Sequence, residues 1–213
     1  VSESKGLFIS FEGIDGVGKS TQADLTEQYL LSRGLEVLRT FEPGGTDLGQ
    51  EIRHLLLHRK GEVSARAEAL LYAADRSHHV ASKIVPALKA GKVVITDRFL
   101  DSSVAYQGAG RELDLKEIRD LSLWAVGNLL PDLTVLLDLD AESASNRRGK
   151  TGVEPDRLER EKISFFDAAR NSYLDLAKAE PDRFHLVDAS VDAETIWSNI
   201  KLRLDEVLES KGL

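Results

Sequence analysis

The sequence predicts a doubly wound α/β fold, with five short parallel strands in one sheet and helices covering both of its faces. Three observations carry that prediction. Short runs of wholly apolar residues recur along the chain, as strands buried on both sides require. Longer amphipathic stretches separate them, as helical crossovers between parallel strands require. The 213 residues also suit one domain with a substantial core, because a chain of this size buries ~70% of its unfolded surface.

The elements follow in order. Leu7 to Phe11 reads as a buried strand, and Lys19 to Arg33 as a helix that Gly34 ends. Leu35 to Phe41 is a second strand, followed by a helix from Thr46 to Leu57 and another from Ala65 to Lys89, with Pro86 near its end. Val93 to Thr96, Leu133 to Leu139 and Arg183 to Val187 supply the remaining strands. A helix is expected from Leu115 to Leu130, where an apolar face suits either the core or a subunit contact, and a last one from Ala193 to Leu208. Asn146 to Pro155 holds two glycines, a proline and three basic residues, so it reads as a surface loop.

Composition narrows the function. The chain has 28 basic and 36 acidic residues, a formal charge of −8, which argues against broad contact with nucleic acid or an anionic membrane. No apolar run reaches the ~18 residues of a membrane helix, so a soluble, cytoplasmic protein is expected. The absence of cysteine removes disulfides, thiolate metal sites and Cys nucleophiles. His54 and His58 lie four apart and read as one exposed helix face rather than a metal pair.

The strongest local signal is Gly13-Ile14-Asp15-Gly16-Val17-Gly18-Lys19-Ser20, which fits G-x-x-x-x-G-K-[ST] between an expected strand and an expected helix. Glycine lets the backbone turn so that successive N–H groups converge on phosphate oxygens, and the helix N-terminus adds positive potential. Lys19 suits the β- and γ-phosphates, and the Ser20 hydroxyl suits Mg²⁺. A nucleoside triphosphate is therefore the expected ligand, held by residues 13–20 with Thr21 beside them. No N-K-x-D guanine-reading element and no L-S-G-G-Q signature is present. Asp97-Arg98 ends the third strand, where a carboxylate can serve the metal and a guanidinium can grip a second phosphate. A structural ion pair between those two is the plainer alternative.

Four segments in order resemble the bacterial thymidylate kinase family: Phe11 to Gln22, Glu42-Pro-Gly-Gly-Thr46, Asp97-Arg98-Phe with Ser102 to Gly108, and Asp156-Arg-Leu-Glu159 followed by Phe165-Phe166. The resemblance runs from about residue 7 to 188. It implies the P-loop nucleoside monophosphate kinase fold in a single domain over residues 1–213 that forms a homodimer. It also implies phosphorylation of dTMP by ATP with Mg²⁺, in dTTP synthesis. By that likeness Asp15 meets the sugar and the metal shell, Asp97 and Ser20 are the metal-side pair, and Arg98 bridges acceptor and transferring phosphates. Tyr72 stacks on thymine, Arg76 bonds its carbonyl edge, Ser103 and Gln107 read its polar edge, and Tyr106 lies beneath the deoxyribose. The chain departs from the family at Phe41, where an Arg is usual: Phe41 can pack beside the base or against the core but cannot clamp an anion, so Arg53 is the expected replacement on the phosphate. Its glycine loop carries no Arg, which points to a basic lid at about residues 146–157. Arg148 and Arg157 lead there, ahead of Arg147, Lys150 and Arg160. Another pyrimidine monophosphate kinase, or a nucleotide-dependent switch, stays open as an alternative.

Overall fold

A computed structural model describes residues 6–149 and 154–213. Five strands form one all-parallel sheet: β1 (Leu7–Glu12), β2 (Val37–Phe41), β3 (Val93–Asp97), β4 (Leu133–Asp138) and β5 (Phe184–Asp188), in the spatial order β2-β3-β1-β4-β5. Alternation along β1 explains why helices cover both faces. Leu7, Ile9 and Phe11 join a core with Ala23 and Leu30 of α1 (Lys19–Ser32) and with Ile196, Ile200 and Leu204 of α9 (Ala193–Lys211). Phe8, between them, points the other way, into a cluster with Val80, Ile84, Leu88 and Val94.

The order of the strands fixes where a ligand can sit. The chain leaves β1 for β2 on one side and leaves β3 for β4 on the other, so the crevice at the carboxyl ends of β1 and β3 is a topological switch point. Register aligns the site residues along this edge: Phe11 and Phe41 both pair with Asp97. Arg98 N–H then bonds Phe11 O at 2.9 Å, and Glu42 N–H bonds Asp97 O at 2.9 Å.

The expected elements all form, with four differences. The helix from Ala65 widens into a π turn at Val80–Ile84 between α3 (Ala65–His79) and α4 (Val85–Lys89); α2 (Asp47–Arg53) similarly runs into a π turn at His54–His58. The expected helix to Leu130 stops early: α6 is Leu115–Ala125, because Gly127 and Asn128 take φ of 60° and 61° and reverse the chain. Asn146 to Gly149 is not loop but the end of α7 (Ala141–Gly149), which Asp140 begins by accepting a bond from Ser143 N–H at 2.8 Å. Two further helical segments form beyond those expected: α5 (Leu100–Ser103), continued by a π turn at Val104–Gly110, and α8 (Ile163–Ala179). Both bear on the site.

Candidate active site

The Gly13–Ser20 loop leaves β1 through three left-handed glycines, Gly13, Gly16 and Gly18, with φ of 132°, 93° and 98°. A Cβ at Gly13 would lie 2.5 Å from Leu137 O, and one at Gly16 would strike Ala144 O. Both positions thus require glycine for conformation and for space. Lys19 at the start of α1 bends back so that Nζ donates to Gly13 O and Ile14 O, both at 3.1 Å. Burial, and next the Arg98 charge, lower its pKa, while Asp97, Asp15 and Glu12 oppose them. Ser20 Oγ donates to Asp97 Oδ2 at 3.1 Å. These residues, with Thr21, line one wall of an open channel that also takes in Arg53, Arg98, Arg147 and Arg148.

Arg98 is the hub. It is a non-glycine residue at φ 70°, a backbone held in the left-handed region by its surroundings. Its guanidinium donates to Asp15 Oδ1 at 2.5 Å, to Tyr106 Oη at 3.0 Å, to Ser102 Oγ at 3.1 Å and to Gly13 O at 3.2 Å. Tyr106 completes the triangle by donating to Asp15 Oδ2 at 3.0 Å. Burial works against the ionised Asp15, but Arg98 and then Lys19 outweigh it and hold the carboxyl far below its usual range. Both oxygens of Asp15 are thus engaged with Arg98 and Tyr106, and Asp15 lines the same channel as Ser20 and Asp97.

Glu12, at the end of β1, supports that hub from beneath. It accepts from Phe99 N–H at 2.7 Å, Ser102 Oγ at 2.7 Å and Tyr173 Oη at 2.8 Å, and is wholly buried. Burial, with Asp101 second, pushes its pKa from 4.5 up to about 7. The folded protein therefore binds a proton at Glu12 over a pH range where the unfolded chain has lost it, and the stability this gives is lost as pH rises through about 7. Between pH ~5 and ~8 the native protein is expected to lose ~2 kcal/mol relative to Glu12→Gln in urea unfolding. A difference that is flat with pH contradicts this.

On the other side of Arg98 lies a cavity lined by Asp15, Arg53, Tyr72, Arg98, Ser102, Tyr106 and Gln107, with Glu42, Pro43, Leu57, Asp156 and Leu158. Its wall is shared with the channel: Asp15, Glu42, Arg53 and Arg98 line both. Arg53 is held there by donating to Pro43 O at 2.8 Å. It lines both the cavity and the channel.

Four of the expected site residues do not line this cavity. Phe41 does not enter the cavity; it is 42% exposed, lines the channel, and carries the Arg53 guanidinium 5.8 Å above its ring. Arg76 and Ser103 sit behind the cavity wall and not on it. Arg76 donates to Glu42 Oε2 at 2.6 Å and to Ser103 Oγ at 2.9 Å, and Glu42 also bonds His79 Nδ1 at 2.8 Å. Buried guanidinium needs a carboxylate, and Glu42 supplies it. Arg157 is turned away from the loop: it donates to Glu68 Oε2 at 2.6 Å and to Leu56 O at 2.7 Å.

The other basic candidates separate in the same way. Arg148 lines the channel with Lys19 and Arg98, its guanidinium 5.2 Å above the Phe166 ring and donating to Glu159 O at 3.1 Å. Arg147 donates to Ala189 O at 2.8 Å, and Arg160 to Pro155 O at 2.9 Å. Lys150 lies outside the described residues. The sequence missed Leu57 and Leu158 in the cavity wall, Tyr173 beside Glu12, and Glu68. Spacing did hold one clue, since Phe165, Ala169 and Tyr173 fall at i, i+4 and i+8 on α8 and are all buried.

Comparison with known proteins agrees with this geometry. The thymidylate kinase family model matches residues 11–200. A thymidylate kinase of Leifsonia xyli subsp. xyli is 61% identical over 94% of this chain and 95% of its own length. One from Clavibacter sepedonicus is 58% identical over 93% and 94%. Among solved structures, the thymidylate kinase from Ehrlichia chaffeensis superposes with a TM-score of 0.76 at 32% identity, covering 93% of this chain and 98% of that one. With the switch-point crevice, the glycine loop and a family match over most of its length, the chain belongs to the thymidylate kinase family.

Proposed function

We infer that this chain transfers the γ-phosphoryl group of ATP to the phosphate of dTMP, giving ADP and dTDP. Family membership supports the reaction and both substrates. The observation that carries the reading is the shared wall: Arg98 and Asp15 line both the glycine-loop channel and the cavity, where a donor and an acceptor phosphate would meet.

The loop amides and Lys19 hold the donor's β- and γ-phosphates. Ser20 and Asp97, two oxygen donors already 3.1 Å apart beside Lys19, suit Mg²⁺, which keeps its remaining positions for phosphate and water. Among the described residues no three His, Cys, Asp or Glu gather into a metal site. When bound, that ion neutralises charge on the transferring group. Arg98 and Arg53 orient the acceptor phosphate, and Arg148 adds charge from the channel side. Tyr72 and Gln107 receive the pyrimidine, while Arg76 and Ser103 brace the wall behind it. Tyr106, fixed by Asp15 and Arg98, would lie beneath the sugar and favour the deoxy form by excluding a 2′-hydroxyl. The acceptor phosphate is ionised near neutral pH, so no general base is required and catalysis reduces to positioning and charge.

We read residues 1–213 as one kinase domain, with about 146–157 as its lid, acting in the cytoplasm. No helix among the described residues is long and apolar enough to cross a membrane. An apolar surface formed by Leu70, Ala73, Ala74 and Ala81 beside Leu121 and Trp124, the last 80% exposed, supports a homodimer through α3 and α6. Sedimentation is expected at twice the 23.5 kDa chain mass, falling to one chain mass in a Leu121→Asp, Trp124→Asp double variant. A monomeric native protein contradicts that assembly. The activity itself is tested by coupled ADP release with Mg-ATP and dTMP, dUMP, dCMP, UMP or no acceptor. Preference for dTMP is the expected result; release independent of any acceptor refutes the reading.

A further inference from the structure

Glu68 of α3 is wholly buried outside the catalytic machinery, yet three side chains from two separate segments converge on it. Gln107 Nε2 donates to its Oε1 at 3.0 Å. Arg111 donates to Oε1 at 3.1 Å and Oε2 at 3.2 Å, and Arg157 donates to Oε2 at 2.6 Å. Burial opposes its ionisation, but these donors hold its pKa below the ordinary value, so it is a carboxylate. An ionised carboxylate only accepts hydrogen bonds. The Gln107 atom that meets it must therefore be the amide nitrogen, whatever the neighbouring groups prefer. Gln107 lines the cavity and Glu68 does not, so with Nε2 bonded to Glu68 the amide has Oε1 left to present to that space as an acceptor.

We propose that Glu68 is a specificity-positioning residue: it fixes the Gln107 amide with Oε1 toward the cavity and so selects a pyrimidine that carries a hydrogen on N3. Thymine and uracil have that N–H donor. Cytosine has a lone pair there, which would face the Gln107 oxygen acceptor to acceptor. Discrimination then arises from a repulsive, unpaired contact as well as from an attractive one. Arg111 and Arg157 take the rest of the carboxylate and hold it still, because a free carboxylate could rotate and release the amide.

This inference rests on the dTMP kinase reading, and steady-state kinetics with Mg-ATP and dTMP, dUMP or dCMP separates the two. In Glu68→Gln the new side chain can donate to Gln107 Oε1 and let Nε2 face the cavity. The dTMP-over-dCMP ratio of kcat/KM is expected to fall about tenfold or more, the size of one well-placed hydrogen bond. The dTMP-over-dUMP ratio, which N3 does not set, stays within about twofold. Glu68→Asp keeps the charge for the arginines but withdraws it by one methylene from Gln107, and shifts the same ratio in the same direction by less. If Glu68→Gln does not fold, that variant decides alone. Gln107→Leu removes the amide and is expected to collapse the ratio as well.

A carboxylate that merely holds Arg157 and its segment in place would lower turnover on all three acceptors by one factor and leave both ratios as in the native protein. That result overturns the proposal, as does a Gln107→Leu variant that keeps its dTMP-over-dCMP preference. A native protein that does not phosphorylate dTMP overturns the parent reading instead.

Discussion

Arg98→Ala is expected to lower turnover by ~10³ to 10⁵, the range over which a transition-state arginine acts in phosphoryl transfer. No other described cation makes direct bonds to the glycine loop, to Asp15 and to Tyr106 at once while facing both channel and cavity. Its loss removes charge from the transferring group and also frees the Tyr106 ring that shapes the sugar site. Arg98→Lys is expected to restore little, because an ammonium cannot reproduce the planar fork that reaches Asp15, Tyr106 and Ser102 together. The Ala variant should also lose ~3 kcal/mol of stability, since Asp15 is left part-buried without its cation. Kinetics and urea unfolding on the same samples check both statements. Turnover within about tenfold of the native protein would remove Arg98 from the mechanism.

Arg148→Ala is expected to cost ~10³ in kcat with little change in KM for dTMP, whereas Arg157→Ala is expected to stay within about tenfold in kcat. The structure makes that separation. Arg148 lines the channel with Lys19, at the end of a helix whose Ala144 carbonyl lies against Gly16. Arg157 is committed to Glu68 and Leu56 and lines a different cavity with His58 and Arg59. Equal losses in the two variants, each measured with saturating ATP and dTMP, would contradict the assignment.

The glycine loop was legible because its chemistry is local. Three left-handed glycines, a lysine and a serine must fall within eight residues if amides are to converge on one phosphate, and such spacing survives in sequence. Asp97-Arg98 was legible for the same reason, as a strand end at the switch point. Arg53 was reached by subtraction, once Phe41 left a missing cation. What sequence could not show was pairing across distance. Arg76 looks like a base-binding arginine four residues after Tyr72, but its partner Glu42 is 34 residues away and draws it behind the wall. Arg157 sits in a basic stretch, yet a carboxylate 89 residues earlier decides where it points. Glu68 carried no motif at all. Helix ends were misjudged where backbone rather than apolar period controls them, as at Gly127-Asn128, and α8 was overlooked although Phe165, Ala169 and Tyr173 share one face.

The central claim is that the channel and the cavity hold two nucleotides and that the phosphoryl group crosses the wall between them. Following the label from γ-labelled ATP with Mg²⁺ and dTMP tests it most directly. Label is expected in dTDP, in step with ADP, with release of inorganic phosphate below about a hundredth of that rate because the acceptor, and not water, is positioned. Label appearing as inorganic phosphate at a rate that dTMP does not change would contradict it.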